Sequence, residues 1–129
     1  PTRSMTAEAL ASRYFLDLAP DRTLVTEATD YLLSELPQAD VPNLYYWYYG
    51  TLALFQVQGE AWTRWNEALQ RQLLQLQRTD GNLAGSWNPD TLWGCYGGRV
   101  YSTAIATLCL EVYYRYLPLT ALRSDRHRH

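Results

Sequence analysis

The stretch that decides the fold lies in the last third of the chain. It reads Gln77-Arg78-Thr79-Asp80-Gly81, then Gly85-Ser86-Trp87, and then Trp93-Gly94-Cys95-Tyr96-Gly97-Gly98-Arg99-Val100-Tyr101-Ser102-Thr103-Ala104. A polar helix is predicted to end near Arg78, because glycine favours the position that follows a helix end. The loop 79–98 holds five Gly and one Pro, which indicates irregular structure with tight turns. A further helix is predicted to begin after Gly98.

The whole chain alternates between two kinds of predicted helix. The kind that is apolar on most sides is predicted over Thr6–Leu18, Leu44–Val57 and Arg99–Leu117. The amphipathic kind is predicted over Thr23–Leu36 and Glu60–Arg78. In the second helix the apolar stripe consists of Leu24, Ala28, Tyr31 and Leu32. The mostly apolar helices are expected to contact neighbours on both sides, and the amphipathic helices to expose one face to water. The sequence therefore predicts an inner and an outer set of helices.

The segment Leu44–Val57 carries no charge, and its aromatic residues face every side of a helix. A helix that is apolar all round is expected to be buried on most faces. A strand is the alternative, because aromatic residues favour strands. Its length and the amphipathic helix that follows favour the helix.

Similar segments recur at a spacing of two helices. Leu32-Leu33 lies 41 residues before Leu73-Leu74, and Thr6–Leu10 lies 44 residues before Gly50–Leu54. A period of this size indicates stacked helical hairpins, in which neighbouring repeats bury a continuous core.

Gln77, Gly81 and Trp87 fill the positions of a motif that reads Gln, three residues, Gly, one residue, Trp, with four extra residues before the Trp. With the segments 45–62 and 97–119, this motif resembles the squalene-cyclase/prenyltransferase repeat family, and in particular the C-terminal part of bacterial, planctomycete-type squalene-cyclase-like domains. The resemblance covers nearly the whole chain. It implies an all-α fold, an α/α-toroid segment of about five helices in stacked hairpins with a long Gly/Trp-rich loop. It also implies that Gln77, Gly81 and Trp87 tie adjacent repeats together.

The resemblance also sets the expected extent of the domain. It assigns residues 1–122 to a partial toroid domain and leaves 123–129 as a basic tail. A full toroid has many more helices than five, so the chain is expected to be the C-terminal part of a longer repeat protein. An excised arc leaves apolar flanks uncovered. We therefore expect self-association through the first or last inner helix, or docking to the remainder of a larger toroid.

The catalytic motifs of the family do not match this sequence. The Asp-x-Asp-Asp acid motif of terpene cyclases has no counterpart, and the nearest acids, Asp80 and Asp90, are separated by a loop. In the zinc motif of prenyltransferases, Trp93 stands where the family has Asp. Cys95 then remains the one plausible ligand where a zinc site needs at least three. We expect neither a metal nor a cofactor, and no catalysis by this chain alone.

Composition excludes some partners and leaves others open. The formal net charge of −2 gives no general attraction to nucleic acid. No apolar run reaches the roughly 18 residues that a membrane span needs. Cys95 and Cys109 do not make a disulfide framework, and Cys109 is expected to be a buried thiol. The residues give no localisation.

The candidate binding surface is the loop end of the helices, since loops on a rigid scaffold concentrate binding sites. It comprises Tyr48, Trp87, Trp93, Tyr96, Arg99 and Tyr101. The first hypothesis for function is a non-catalytic interaction or scaffold segment of a toroid protein. The alternative is a fragment of an isoprenoid-processing enzyme whose acid motif lies outside this chain, with an apolar isoprenoid as ligand. A saccharide-binding surface made of exposed aromatic residues is a third hypothesis.

Overall fold

The structure is a computed structural model and describes residues 2–18 and 21–116. Within these ranges the regular elements are helices, and no strand is formed. They are α1 (Arg3–Phe15), α2 (Arg22–Leu33), α3 (Leu44–Val57), α4 (Gly59–Leu76) and α5 (Gly94–Arg115), with a short 3-10 turn at Gly81–Leu83. The predicted all-α class and five helices are confirmed, and the strand alternative for Leu44–Val57 is wrong.

The central element is α3, whose predicted bounds are confirmed. It contacts each of the other four helices, and ten of its 14 residues are buried. Asn43 caps its first turn, because the side-chain oxygen Oδ1 accepts a hydrogen bond from the backbone N–H of Tyr46 at 3.1 Å. A helix without charge is therefore surrounded by protein, as its composition predicts.

The five helices form two layers. In the first layer α3 lies between α1 and α5, and in the second layer α2 and α4 pack on α1 and α3 and touch each other. The predicted apolar helices thus occupy one layer and the predicted amphipathic helices the other. None of the helices in the described ranges combines the length and the apolar character that a membrane span requires.

The two layers are in close contact where Trp65 of α4 meets α3. Trp65 is fully buried, and a Cβ atom at Gly50 would overlap its indole ring. The indole Nε1 donates to Thr51 Oγ1 at 2.9 Å, and the Thr51 hydroxyl donates to the carbonyl of Trp47 at 2.6 Å. Small residues at positions 50 and 51 therefore admit the indole, and the hydroxyl satisfies its N–H.

The first two helices end earlier than predicted. The helix α1 begins at Arg3, because Thr2 caps it by accepting from the N–H of Met5. It ends at Phe15, before Asp17 takes a left-handed φ of 57°. The helix α2 ends at Leu33, short of the predicted Leu36.

The bounds on either side of the long loop also differ from the prediction. The helix α4 ends at Leu76, because Gln77 turns into extended backbone and pairs with Trp87. The helix α5 begins at Gly94, but Gly98 interrupts it with a φ of 69° and a ψ of −168°. The regular part of α5 therefore starts at Arg99, where the sequence predicts the helix.

Replacing Thr51 with Val tests the contact between the layers. The change keeps the shape of the side chain but leaves the buried Trp65 N–H without its acceptor. We expect the free energy of unfolding, measured by urea denaturation, to fall by about 1–3 kcal/mol. Thr51→Ser is the matched control, since it retains the hydroxyl and should lose less than Thr51→Val. Equal stability of Thr51→Val and the parent protein would contradict this account.

Candidate functional site

The turn after α4 is closed by backbone pairing between Gln77 and Trp87. The N–H of Arg78 donates to the carbonyl of Ser86 at 2.8 Å, and the N–H of Gly85 donates to the carbonyl of Arg78 at 2.7 Å. The side-chain Nε2 of Gln77 donates to the carbonyl of Gly85 at 3.1 Å. The Gln77 amide nitrogen thus fixes its own turn and not a group of the next helix.

Trp87 fastens this turn to the helices on both sides of it. Its indole Nε1 donates to the carbonyl of Leu73 in α4 at 2.8 Å, and its backbone N–H donates to Thr103 Oγ1 in α5 at 3.2 Å. The side chain is 4% exposed, so it belongs to the core and does not contribute to a binding surface. Gly81 lies at the tip of the same turn, with a φ of 63°.

Three other residues of the predicted surface lie at the start of α5. Trp93 and Tyr96 are exposed, and their ring centroids are 6.3 Å apart. Arg99 donates from its guanidinium to Ser86 Oγ at 3.0 Å. These three residues surround the interrupted first turn of α5, apart from the remaining two members of the predicted set.

Those two members, Tyr48 and Tyr101, belong to a second group of aromatic residues. On α3, Tyr45, Tyr48 and Tyr49 lie on the face opposite the one that Trp65 contacts at Gly50 and Thr51. The rings of Tyr45 and Tyr49 have centroids 5.0 Å apart, and those of Tyr48 and Tyr49 are 5.3 Å apart. We name as the tyrosine surface the half-buried phenols on this side of α3, of α5 and of the residue that follows α5: Tyr45, Tyr48, Tyr49, Tyr101 and Tyr116.

In three phenols of this surface, those of Tyr45, Tyr48 and Tyr101, the surroundings raise the pKa above that of an isolated tyrosine. Burial, and then the neighbouring phenol of Tyr116, raise the pKa of Tyr48 to about 12. The hydrogen bond with the carboxylate of Glu8 in α1, and then burial, raise the pKa of Tyr45 to about 12. Burial also raises the pKa of Tyr101. The surface therefore offers neutral hydroxyl donors and aromatic faces, with one carboxylate at its edge.

The thiol near this surface is shielded from solvent, and the part of the chain that the structure describes holds no metal-binding cluster. Cys109 of α5 is buried, as predicted, and desolvation raises the pKa of its thiol, so it stays protonated and inert. Within residues 2–18 and 21–116, no three His, Cys, Asp or Glu side chains come together in a way that could hold a metal ion. His127 and His129 lie outside the described residues.

Sequence reasoning missed part of the tyrosine surface. Tyr45 and Tyr49 lie one turn apart on the face of Tyr48, and this spacing could have found them. Glu8 lies in α1 and Tyr116 directly follows α5, and only the packing of α1 and α5 against α3 brings them to this surface.

The first layer ends in an open apolar surface on each side of α3. The first flank is a groove of about 520 Å³ between α1 and α2. Its apolar lining includes Met5, Ala9, Leu24, Ala28 and Tyr31. The predicted apolar stripe of α2 is thus only partly buried. Leu32 is inside, whereas Leu24 and Tyr31 are each 37% exposed.

The second flank lies on the face of α5 that is turned away from α3. It is an open hollow of about 600 Å³, and its lining residues are Ser86, Arg99, Val100, Thr103, Ala104, Thr107 and Leu108. Val100 is 84% exposed. The prediction that α5 is covered on most sides is therefore wrong for this face, because only the turn at Ser86 and Trp87 contacts it and no described helix packs on it.

Comparisons with protein-family models, with curated proteins and with solved structures find no match to this chain. The resemblance to the squalene-cyclase/prenyltransferase family therefore stays a prediction.

The raised phenol pKa values predict a loss of stability at alkaline pH. A group whose folded pKa lies above its unfolded value contributes stability that is present below the unfolded pKa and is lost as pH rises through the folded pKa. For Tyr45 and Tyr48 that window runs from pH 10 to about 12. We expect the free energy of unfolding, measured in urea at a series of pH values, to decline across this window.

Tyr48→Phe assigns part of this decline, because phenylalanine keeps the ring and removes the titrating hydroxyl. We expect its stability to fall less steeply between pH 10 and 12 than that of the parent protein. An unchanged slope would show that the Tyr48 phenol is not held protonated by its surroundings.

Proposed function

We propose that this chain is a non-catalytic segment of a helical-repeat array, which acts as an interaction or scaffold module through its two flanks. The observation that carries the proposal is the pair of open apolar flanks, one beyond each side of α3. In repeat architectures each unit buries its faces against its neighbours, and uncovered ends are polar where no neighbour follows. Both ends of this array are instead apolar.

The flanks expose large apolar side chains, whereas a helix face in contact with water normally carries polar ones. Met5 on the first flank is 64% exposed, and Val100 on the second is 84% exposed. Contiguous exposed apolar surface of this kind marks interaction sites in soluble proteins. A further helix could pack on the exposed face of α5 in the same way as α3 packs on α1.

The toroid family suits this proposal in two respects. The apolar and amphipathic helices sort into separate layers, and Gln77 and Trp87 pair within one turn that joins α4 to α5. These features support a toroid arc whose remaining helices dock on the flanks. The alternative docking partner is a second copy of this chain.

Sedimentation velocity over a range of concentrations tests the flanks in this chain. We expect the parent protein to self-associate and Val100→Asp to shift it towards the monomer, because a carboxylate on the second flank would be desolvated without a partner. Val41→Asp is the matched control, since Val41 is 79% exposed in a loop outside both flanks. A parent protein that stays monomeric at every concentration would contradict the proposal for this chain.

Mixing two blocked variants shows how the flanks pair. Val100→Asp leaves the first flank intact and Met5→Asp leaves the second intact, so head-to-tail pairing predicts that the mixture forms dimers while each variant alone does not. If like flanks pair with each other, each variant alone still dimerises through its intact flank. Association that neither variant changes would exclude both flanks.

The tyrosine surface favours one second candidate, a fragment of an isoprenoid-processing enzyme. Its phenol rings lie on the side of α3 away from α4, where aromatic faces could stabilise an apolar or cationic isoprenoid chain. Saturable binding of radiolabelled squalene from detergent micelles, weakened by Tyr48→Ala but not by Tyr114→Ala, would favour this candidate. Tyr114 is 85% exposed and lies outside the surface, and its replacement controls for a general loss of aromatic area.

A further inference from the structure

The hollow on the second flank extends along the outward face of α5. Val100, Ala104, Thr107 and Leu108 lie on this face at helical spacing, and the first three of them are exposed. From Arg99 to Leu108 the face is about 14 Å long, because a helix rises by about 1.5 Å per residue. The volume of about 600 Å³ lies within the range of small-molecule sites, about 300–1,000 Å³. The hollow therefore has room for an elongated small molecule.

The hydroxyl groups in the wall of the hollow have partners inside the protein. Thr107 Oγ1 donates to the carbonyl of Thr103 at 2.7 Å, and Thr103 Oγ1 accepts from the backbone N–H of Trp87 at 3.2 Å. Ser86 Oγ donates to the carbonyl of Leu83 at 2.6 Å. The surface that the wall presents is almost entirely carbon. A ligand that fits this wall is therefore mainly hydrocarbon.

Arg99 adds one positive charge at the N-terminal end of this face. Since the wall is almost entirely carbon, Arg99 contributes mainly its aliphatic stem to it, and the guanidinium lies at the rim. The guanidinium donates to Ser86 Oγ at 3.0 Å, which fixes its position. Among the described residues no carboxylate pairs with this guanidinium. Most of its five N–H groups therefore remain available to a ligand.

One positive charge at the end of an apolar face matches a ligand with one negative charge and one hydrocarbon chain. A carboxylate suits the guanidinium, because the two planar groups can form two parallel N–H···O bonds. A phosphate monoester carries about −1.5 to −2 charges at pH 7, which a single guanidinium does not balance. We propose that the second flank binds a long-chain fatty acid, with its carboxylate on Arg99 and its hydrocarbon chain along α5.

A fatty acid in this position would cover part of the surface that the proposed function assigns to docking. Val100, the most exposed side chain of the second flank, would lie under the hydrocarbon chain. The bound fatty acid would therefore compete with self-association through this flank. The competition rests on the proposed function, whereas the binding itself does not.

Titration of the full chain with decanoate, followed by NMR at the methyl groups of Val100 and Leu108, tests the binding. We expect a saturable shift at both residues. Hexanoate should bind more weakly, since each methylene removed from the chain costs up to about fourfold in affinity. Decyltrimethylammonium has a chain of the same length with the opposite charge and should bind at least about tenfold more weakly. No saturable shift with decanoate, or equal binding of the cation, would overturn the proposal.

Removing the charge of Arg99 locates the carboxylate. Arg99→Gln should weaken decanoate binding by about tenfold or more, because it removes the charge-assisted hydrogen bonds. Arg78→Gln is the matched control, since Arg78 pairs with Asp80 and lies outside the hollow. Equal weakening by the two variants would indicate attraction by net charge and would overturn the site.

Filling the hollow locates the hydrocarbon chain. Ala104→Trp places an indole on the exposed face of α5 and should weaken decanoate binding while acetate, which has no chain to bury, is unaffected. Ala84→Trp is the matched control, because Ala84 is exposed in the turn and does not line the hollow. Undiminished binding of decanoate to Ala104→Trp would overturn the placement of the chain along α5.

Sedimentation velocity with and without saturating decanoate separates this proposal from the proposed function. We expect decanoate to shift the associated protein towards the monomer. Decanoate that binds at Val100 and Leu108 without changing the association would overturn the competition and support the site alone. A protein that is monomeric without decanoate and still binds it would support the site and contradict the proposed function.

Discussion

The indole of Trp65 inserted against Gly50 is the contact on which the two layers depend. A side chain at position 50 would occupy the space of the ring, and Thr51 supplies the acceptor for its N–H. Tyr46 packs its ring edge-on to the same indole, with centroids 5.4 Å apart, and donates its hydroxyl to the carbonyls of Leu32 and Glu35. One aromatic cluster thereby joins α3 to both helices of the second layer.

The sequence predicted those parts of the fold that follow from the side chains of a single helix. The bounds of α3 were predicted because its aromatic run lacks charge and Gly59 separates it from the amphipathic helix that follows. The ends of α1 and α4 were not, because they depend on Thr2 as a cap and on the pairing of Gln77 with Trp87 across ten residues. Periodicity shows which faces of a helix are apolar, but it does not show which of those faces another helix covers. The exposure of Leu24, Tyr31 and Val100 could therefore not be predicted from it.

The candidate site could be predicted only in part for a related reason. The prediction placed these aromatic residues together at the loop end of the helices, whereas in the structure they lie in three different places. Trp87 enters the core, Trp93 and Tyr96 stay exposed at the start of α5, and Tyr48 and Tyr101 face a common surface on the first layer. Tyrosines of α3 and α5 come together because these two helices pack against each other. The spacing of residues along the chain does not show which helices are neighbours.

Trp87 is bonded to both α4 and α5, so the turn can keep its structure even if its backbone is cut at the tip. The tip around Leu83 is exposed, while the N–H groups of Trp87 are satisfied by Leu73 on one side and Thr103 on the other. A protease that nicked the tip would leave Trp87 on the C-terminal fragment, still inserted in the N-terminal one. The two fragments would then stay together as a complex, because the cut removes chain connectivity and leaves the buried contacts in place.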